Sequence, residues 1–101
     1  MRTKNVFFAI VLVSISFFTH AQTSIEYYDK GVDKGKLGDI RGAVMYYNKA
    51  IELDPEFKEA YFNRGVCKYE LGDIDGACLD FSKDGELGNW EAYDMIQEYC
   101  N

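Results

Sequence analysis

Leu37-Gly38-Asp39-Ile40, followed by Gly42-Ala43, returns 34 residues later as Leu71-Gly72-Asp73-Ile74 followed by Gly76-Ala77. Each copy has the chemistry of a joint between two helices. The leucine anchors the end of one helix, the glycine takes a positive φ without steric cost, and the aspartate caps the next helix. Working outward at the same offset, Tyr27 falls on Tyr61, Gly31 on Gly65, Val32 on Val66, Lys34 on Lys68, Lys49 on Lys83, and Glu52-Leu53 on Glu86-Leu87. These make 13 identities in 34 positions, too many for chance, so the chain is built on an internal repeat.

The repeat predicts helices over 24–37, 40–53, 58–71 and 74–87. Asp54-Pro55 separates the two units, because proline lacks the next helical donor and restricts the residue before it. Short joints make consecutive helices antiparallel neighbours. A last helix is expected after Gly88, with Asn89 as its cap and with Ala92, Tyr93 and Ile96 repeating the start of a first-helix pattern at an offset of 32. Trp90, Met95 and Tyr99 give it further apolar surface.

A 34-residue period with Tyr27, Gly31, Ala43, Tyr47, Ala50 and Pro55 at these spacings, and with Tyr61, Gly65, Ala77 and Phe81 in the second unit, resembles the tetratricopeptide repeat (TPR) family. In such repeats glycine and alanine let paired helices approach closely while the aromatic fills the space beside them. Tyr61-Phe62-Asn63-Arg64-Gly65 and Asp80-Phe81-Ser82-Lys83 are similar to a variant common among bacterial members. Asp84 and Asn89 depart from the pattern, where alanine and proline are usual, and suggest that the stack ends there. The resemblance covers 24–101 and implies an all-α fold. Two TPR helix hairpins, 24–57 and 58–91, are closed by a C-terminal capping helix over 89–100, in a short right-handed α-solenoid.

Ahead of the repeat, Arg2 and Lys4 precede an uncharged apolar run from Val6 to Phe18, and Thr19-His20-Ala21 places small residues at a cleavage position. The pattern predicts a secretory signal peptide over 1–21, leaving one domain over 22–101 that is periplasmic or secreted. The apolar run is shorter than the roughly 20 residues that span a bilayer, so no membrane insertion is expected once the signal is removed. No cysteine stands at the expected cut to take a lipid.

Taking Arg2 and Lys4 from the 11 basic residues leaves 9 against 17 acidic ones, a net charge of −8 that repels nucleic acid and anionic lipid. His20, the only histidine, lies in the segment to be removed, which leaves no imidazole for acid–base chemistry or for a metal. Asp73 with Asp75, and Glu52 with Asp54, are acidic pairs of the kind that cap helices and complement their dipoles. No catalytic residue, metal site or cofactor is expected.

Two repeats and a cap fall below the usual minimum of about three for a stable stack, so a staple is expected. Cys67, Cys78 and Cys100 allow one bridge and one free thiol in an oxidising compartment. Antiparallel packing of 74–87 against the closing helix brings Cys78 near Cys100, the favoured pair. Cys67 with Cys78, across the Leu71-Gly72-Asp73 turn, is the competing bridge, and three reduced, buried thiols are the third arrangement.

By the resemblance, the first helix of each unit lines a concave groove. That places Ile25, Tyr28, Val32 and Lys36 there from the first repeat and Glu59, Phe62, Val66 and Tyr69 from the second. Family members that clamp a terminal carboxylate use lysine, arginine and asparagine in this groove, whereas several of the places here hold Val32, Phe62 and Val66. The expected partner is therefore another protein, presenting an apolar or aromatic peptide or helix to a protein-interaction module or adaptor. Aromatics at helical spacing also serve as core. The alternative is a self-associating structural protein, or a subunit of an envelope complex, whose groove is a homodimer interface.

Overall fold

The computed structural model describes residues 23–101, so the secretory segment expected over 1–21 lies outside the described residues. Helix α1 covers 23–36 and is followed by α2 (Ile40–Leu53), α3 (Lys58–Glu70), α4 (Ile74–Glu86) and α5 (Ala92–Tyr99). No strand occurs among the described residues, and neighbouring helices pack in antiparallel pairs as a TPR-like helical repeat solenoid. Among them, no helix is long and apolar enough to cross a membrane.

The joints follow from local chemistry. Gly38 and Gly72 adopt φ of 81° and 85°, conformations that a side chain would strain. Each lets the aspartate that follows it bond backwards: Asp39 N–H to the Lys34 carbonyl at 2.9 Å, and Asp73 N–H to that of Lys68 at 2.8 Å. The same aspartates then cap the next helix, accepting from Gly42 N–H and Gly76 N–H at 3.0 Å each. Leu87-Gly88-Asn89 builds a third joint of this kind, with Asn89 N–H bonded to the Asp84 carbonyl at 3.2 Å.

The closing helix starts later than the expected 89. Asn89 Oδ1 accepts from Glu91 N–H at 3.2 Å, and Ala92, Tyr93 and Asp94 bond to carbonyls three residues back, so a tight turn precedes the α-helix at Ala92.

Packing rests on small residues under aromatic ones. Ala43, Ala50, Ala60, Ala77 and Ala92 are fully buried. A Cβ on Gly65 would stand 2.7 Å from the Phe81 ring, so only glycine admits the ring between α3 and α4. Ala43, Tyr47 and Cys67 form a core cluster joined by Tyr28, Val32, Ile40 and Val44. The buried stripe of α4 is Ala77, Asp80, Phe81 and Asp84, which has the spacing of an apolar face but includes two aspartates. Asp80 is compensated: Arg64 donates to it through Nε at 2.8 Å and Nη2 at 2.7 Å, and Lys68 Nζ lies 3.3 Å away. Arg64 Nη1 also donates to Asn48 Oδ1 at 2.9 Å, tying α3 to α2 of the preceding unit.

The Cys78 and Cys100 sulfurs are at disulfide distance, with Cα atoms 5.8 Å apart, where α4 begins and α5 has just ended. Cys67 lies apart from them in the core with Ala43 and Tyr47.

Candidate functional site

Three adjoining clefts run along the face built by α1 and α3, of about 430, 240 and 300 Å³. The first is walled by Ile25, Phe57 and Leu87, and shares Lys58 and Glu59 with the second. The second is walled by Tyr28 and Phe62, and shares Asn63 with the third, where Val32, Lys36 and Val66 lie. Ile25, Tyr28, Val32, Lys36, Glu59, Phe62 and Val66 are thus brought onto one continuous surface. Tyr69 is not among the lining residues: its ring stands 4.6 Å from that of Tyr99 on the closing helix.

Helical spacing explains this surface, since Ile25, Tyr28 and Val32 stand three and four residues apart on α1, as do Glu59, Phe62 and Val66 on α3. The aromatics serve the cleft and the interior together. Tyr28 has its ring 4.9 Å from Phe57 and 5.8 Å from Tyr47, and its hydroxyl accepts from Asn63 Nδ2 at 3.0 Å. Burial raises the Tyr28 hydroxyl above its ordinary pKa, so it stays protonated and keeps a proton to donate. Phe62 packs against the buried Phe81 at 5.8 Å. Ile25, by contrast, is 52% exposed.

The middle cleft carries a feature the apolar reading does not explain. Asp84 lines it and has no solvent exposure. Its Oδ2 accepts from Asn89 Nδ2 at 2.6 Å, while Oδ1 has no hydrogen-bond partner. Burial is the main cause that lifts this carboxyl above the usual carboxylate range; the Asn89 bond and Lys58 oppose the shift, and Glu59 and Glu91 add to it. At the repeat offset Asp84 corresponds to Ala50 and Asn89 to Pro55, and Ala50 is likewise fully buried. The two departures from the repeat pattern are therefore one bonded pair, a link that neither the end of the stack nor a helix cap at Asn89 implies. Lys58, Asn63 and Glu91 carried no signal of their own, because nothing local to them points to a shared cleft.

Burial, then the charge of Glu70, raises the Cys67 thiol, which favours the unreactive protonated form. Burial also pushes the neighbouring Tyr47 up to about 12. Among the described residues, no group of three or more histidine, cysteine, aspartate or glutamate side chains is placed to hold a metal ion.

Residues 36–72 match the family model described as TPR repeat. The match starts at the last residue of α1 and runs through α2 and α3 into the second glycine turn. With the described helices arranged as packed pairs, this match places a TPR repeat within a TPR-like helical solenoid. An uncharacterized protein of Methanocaldococcus jannaschii is 53% identical over 34 residues, covering 34% of this chain and 40% of that relative. The matched stretch thus spans well under half of the relative's length. TPR repeats are, as a class, protein-interaction modules and typically non-catalytic.

Proposed function

We propose that this chain is an exported interaction module or adaptor that binds an apolar or aromatic peptide, or one face of an amphipathic helix, along α1 and α3. The observation that carries the reading is the continuity of the three clefts, walled by Ile25, Tyr28, Phe62, Val32 and Val66. An amphipathic helix laid along such a strip buries its apolar anchors at three- and four-residue spacing, the same period that spaces the walls. No catalytic role is assigned, because the one thiol outside the Cys78–Cys100 pair is buried and held protonated. Export rests on the Arg2, Lys4 and Val6-to-Phe18 pattern, and the Cys78–Cys100 bridge suits that compartment.

The experiment is crosslinking and affinity capture of the tagged protein from its own compartment, beside an Ile25→Glu, Lys36→Glu double variant. Both residues are exposed, so the variant keeps its fold while changing the apolarity and charge of the face. A protein captured by the wild type and lost from the variant supports the adaptor reading. Capture of only the bait, crosslinked to itself, replaces it with the self-associating structural protein.

A further inference from the structure

Asp80 and Asp84 occupy the same stripe of α4 one turn apart, and both are buried. Asp80 is held by a guanidinium from Arg64 and an ammonium from Lys68. Asp84 has one amide contact, and its second oxygen is unpartnered. The fold does not require a carboxylate here, because the first unit fills the same slot with Ala50. Leaving a buried carboxylate oxygen unpaired costs stability, and groups kept at such a cost are candidates for binding.

The surroundings say what kind of group would be bound. Around the middle cleft Glu59, Asp84 and Glu91 contribute three carboxylates, and Lys58 is the one cation. Lys58 is exposed and makes no ion pair with Asp84. The cleft is therefore negative, with low-dielectric walls at Tyr28 and Phe62 that strengthen its field. A metal ion does not fit, because these carboxylates are not grouped to share one. A guanidinium does: it is weakly hydrated, lies on aromatic faces, and offers a planar fork of donors to carboxylates. Asp80, one turn earlier on α4, shows that pairing with Arg64 of α3.

We propose that the middle cleft receives an arginine side chain of the bound peptide, seated beside Tyr28 and Phe62 and neutralised by Asp84, Glu59 and Glu91. The proposal rests on the interaction-module reading above and names the anchor that gives the apolar groove its specificity. Asp84 acts from the cleft floor, with Asn89 holding its other oxygen in place.

The test is panning of a phage-displayed random peptide library on the full chain, in parallel with Asp84→Ala and the isosteric Asp84→Asn, with thermal melting to show that both variants fold. The expected result is selected sequences with one fixed arginine among apolar or aromatic residues. Replacing that arginine by citrulline should weaken binding to the wild type by about tenfold or more, and should change little with either variant. Lysine in its place should bind less well than arginine. Selected apolar peptides without a fixed arginine, or an arginine preference that survives in both variants, overturn the proposal and leave the groove reading standing. A library that enriches nothing on any of the three proteins overturns both.

Discussion

Two aspartates one turn apart on α4 have opposite relations to their surroundings, and the difference is measurable. Asp80 holds two cations, so Asp80→Ala leaves Arg64 and Lys68 partly buried and unpaired; a loss of about 2 kcal/mol in chemical denaturation is expected. Asp84→Ala removes an unpaired buried oxygen and restores the residue type of the first unit, so a gain of about 1 kcal/mol is expected. The pH dependence follows from the raised Asp84 carboxyl. Between its unfolded and folded pKa values the native state holds a proton that the unfolded chain has lost, so stability declines as pH rises through that interval. Urea midpoints of the wild type should fall relative to Asp84→Asn as pH climbs from the ordinary carboxylate range to above the raised value. A constant difference between the two proteins would contradict that shift. The sequence could mark Asp84 as a departure from its own repeat, but not as buried, because its burial depends on where Asn89 and the closing helix return.

Elements were legible where their determinants are local. Leu37-Gly38-Asp39 and Leu71-Gly72-Asp73 each contain the anchor, the positive-φ residue and the cap, so the helices they join lie within a residue of their expected ends. The closing helix was less legible. Asn89 was expected to cap it directly, and its side chain instead organises a tight turn that delays the helix to Ala92. Contacts across many residues were not legible at all: Asn63 reaches Tyr28 over 35 positions, and Tyr69 meets Tyr99 of the closing helix. The proximity of Cys78 to Cys100 could be anticipated because antiparallel helices bring an early residue beside a late one. A bridge closing that 22-residue separation would be worth about 3 kcal/mol, so Cys100→Ser is expected to lower stability by about that much. Amide exchange should speed up first in α5, and thiol labelling of the unreduced, unfolded wild type should find one reactive cysteine, Cys67.

At the scale of the molecule, the units are joined by more than contact between their outer surfaces. Arg64 bonds Asp80 within its own unit and Asn48 in the preceding one, and Cys67 of the second unit completes a core with Ala43 and Tyr47 of the first. One cooperative transition, seen alike by far-ultraviolet dichroism and tyrosine fluorescence, is therefore expected for a chain with so few repeats. Asn48→Ala should separate the two probes before it abolishes folding.

The glycine joint occurs three times, and only the last unit carries a cysteine on its outer helix, since Val44 stands where Cys78 would repeat. Length is thus uncoupled from closure. A second copy of 24–57 inserted before Lys58 would extend the array in its own register while the close approach of Cys78 to Cys100 stayed at the end. The gene for such a protein can grow by duplication without having to reinvent its terminus.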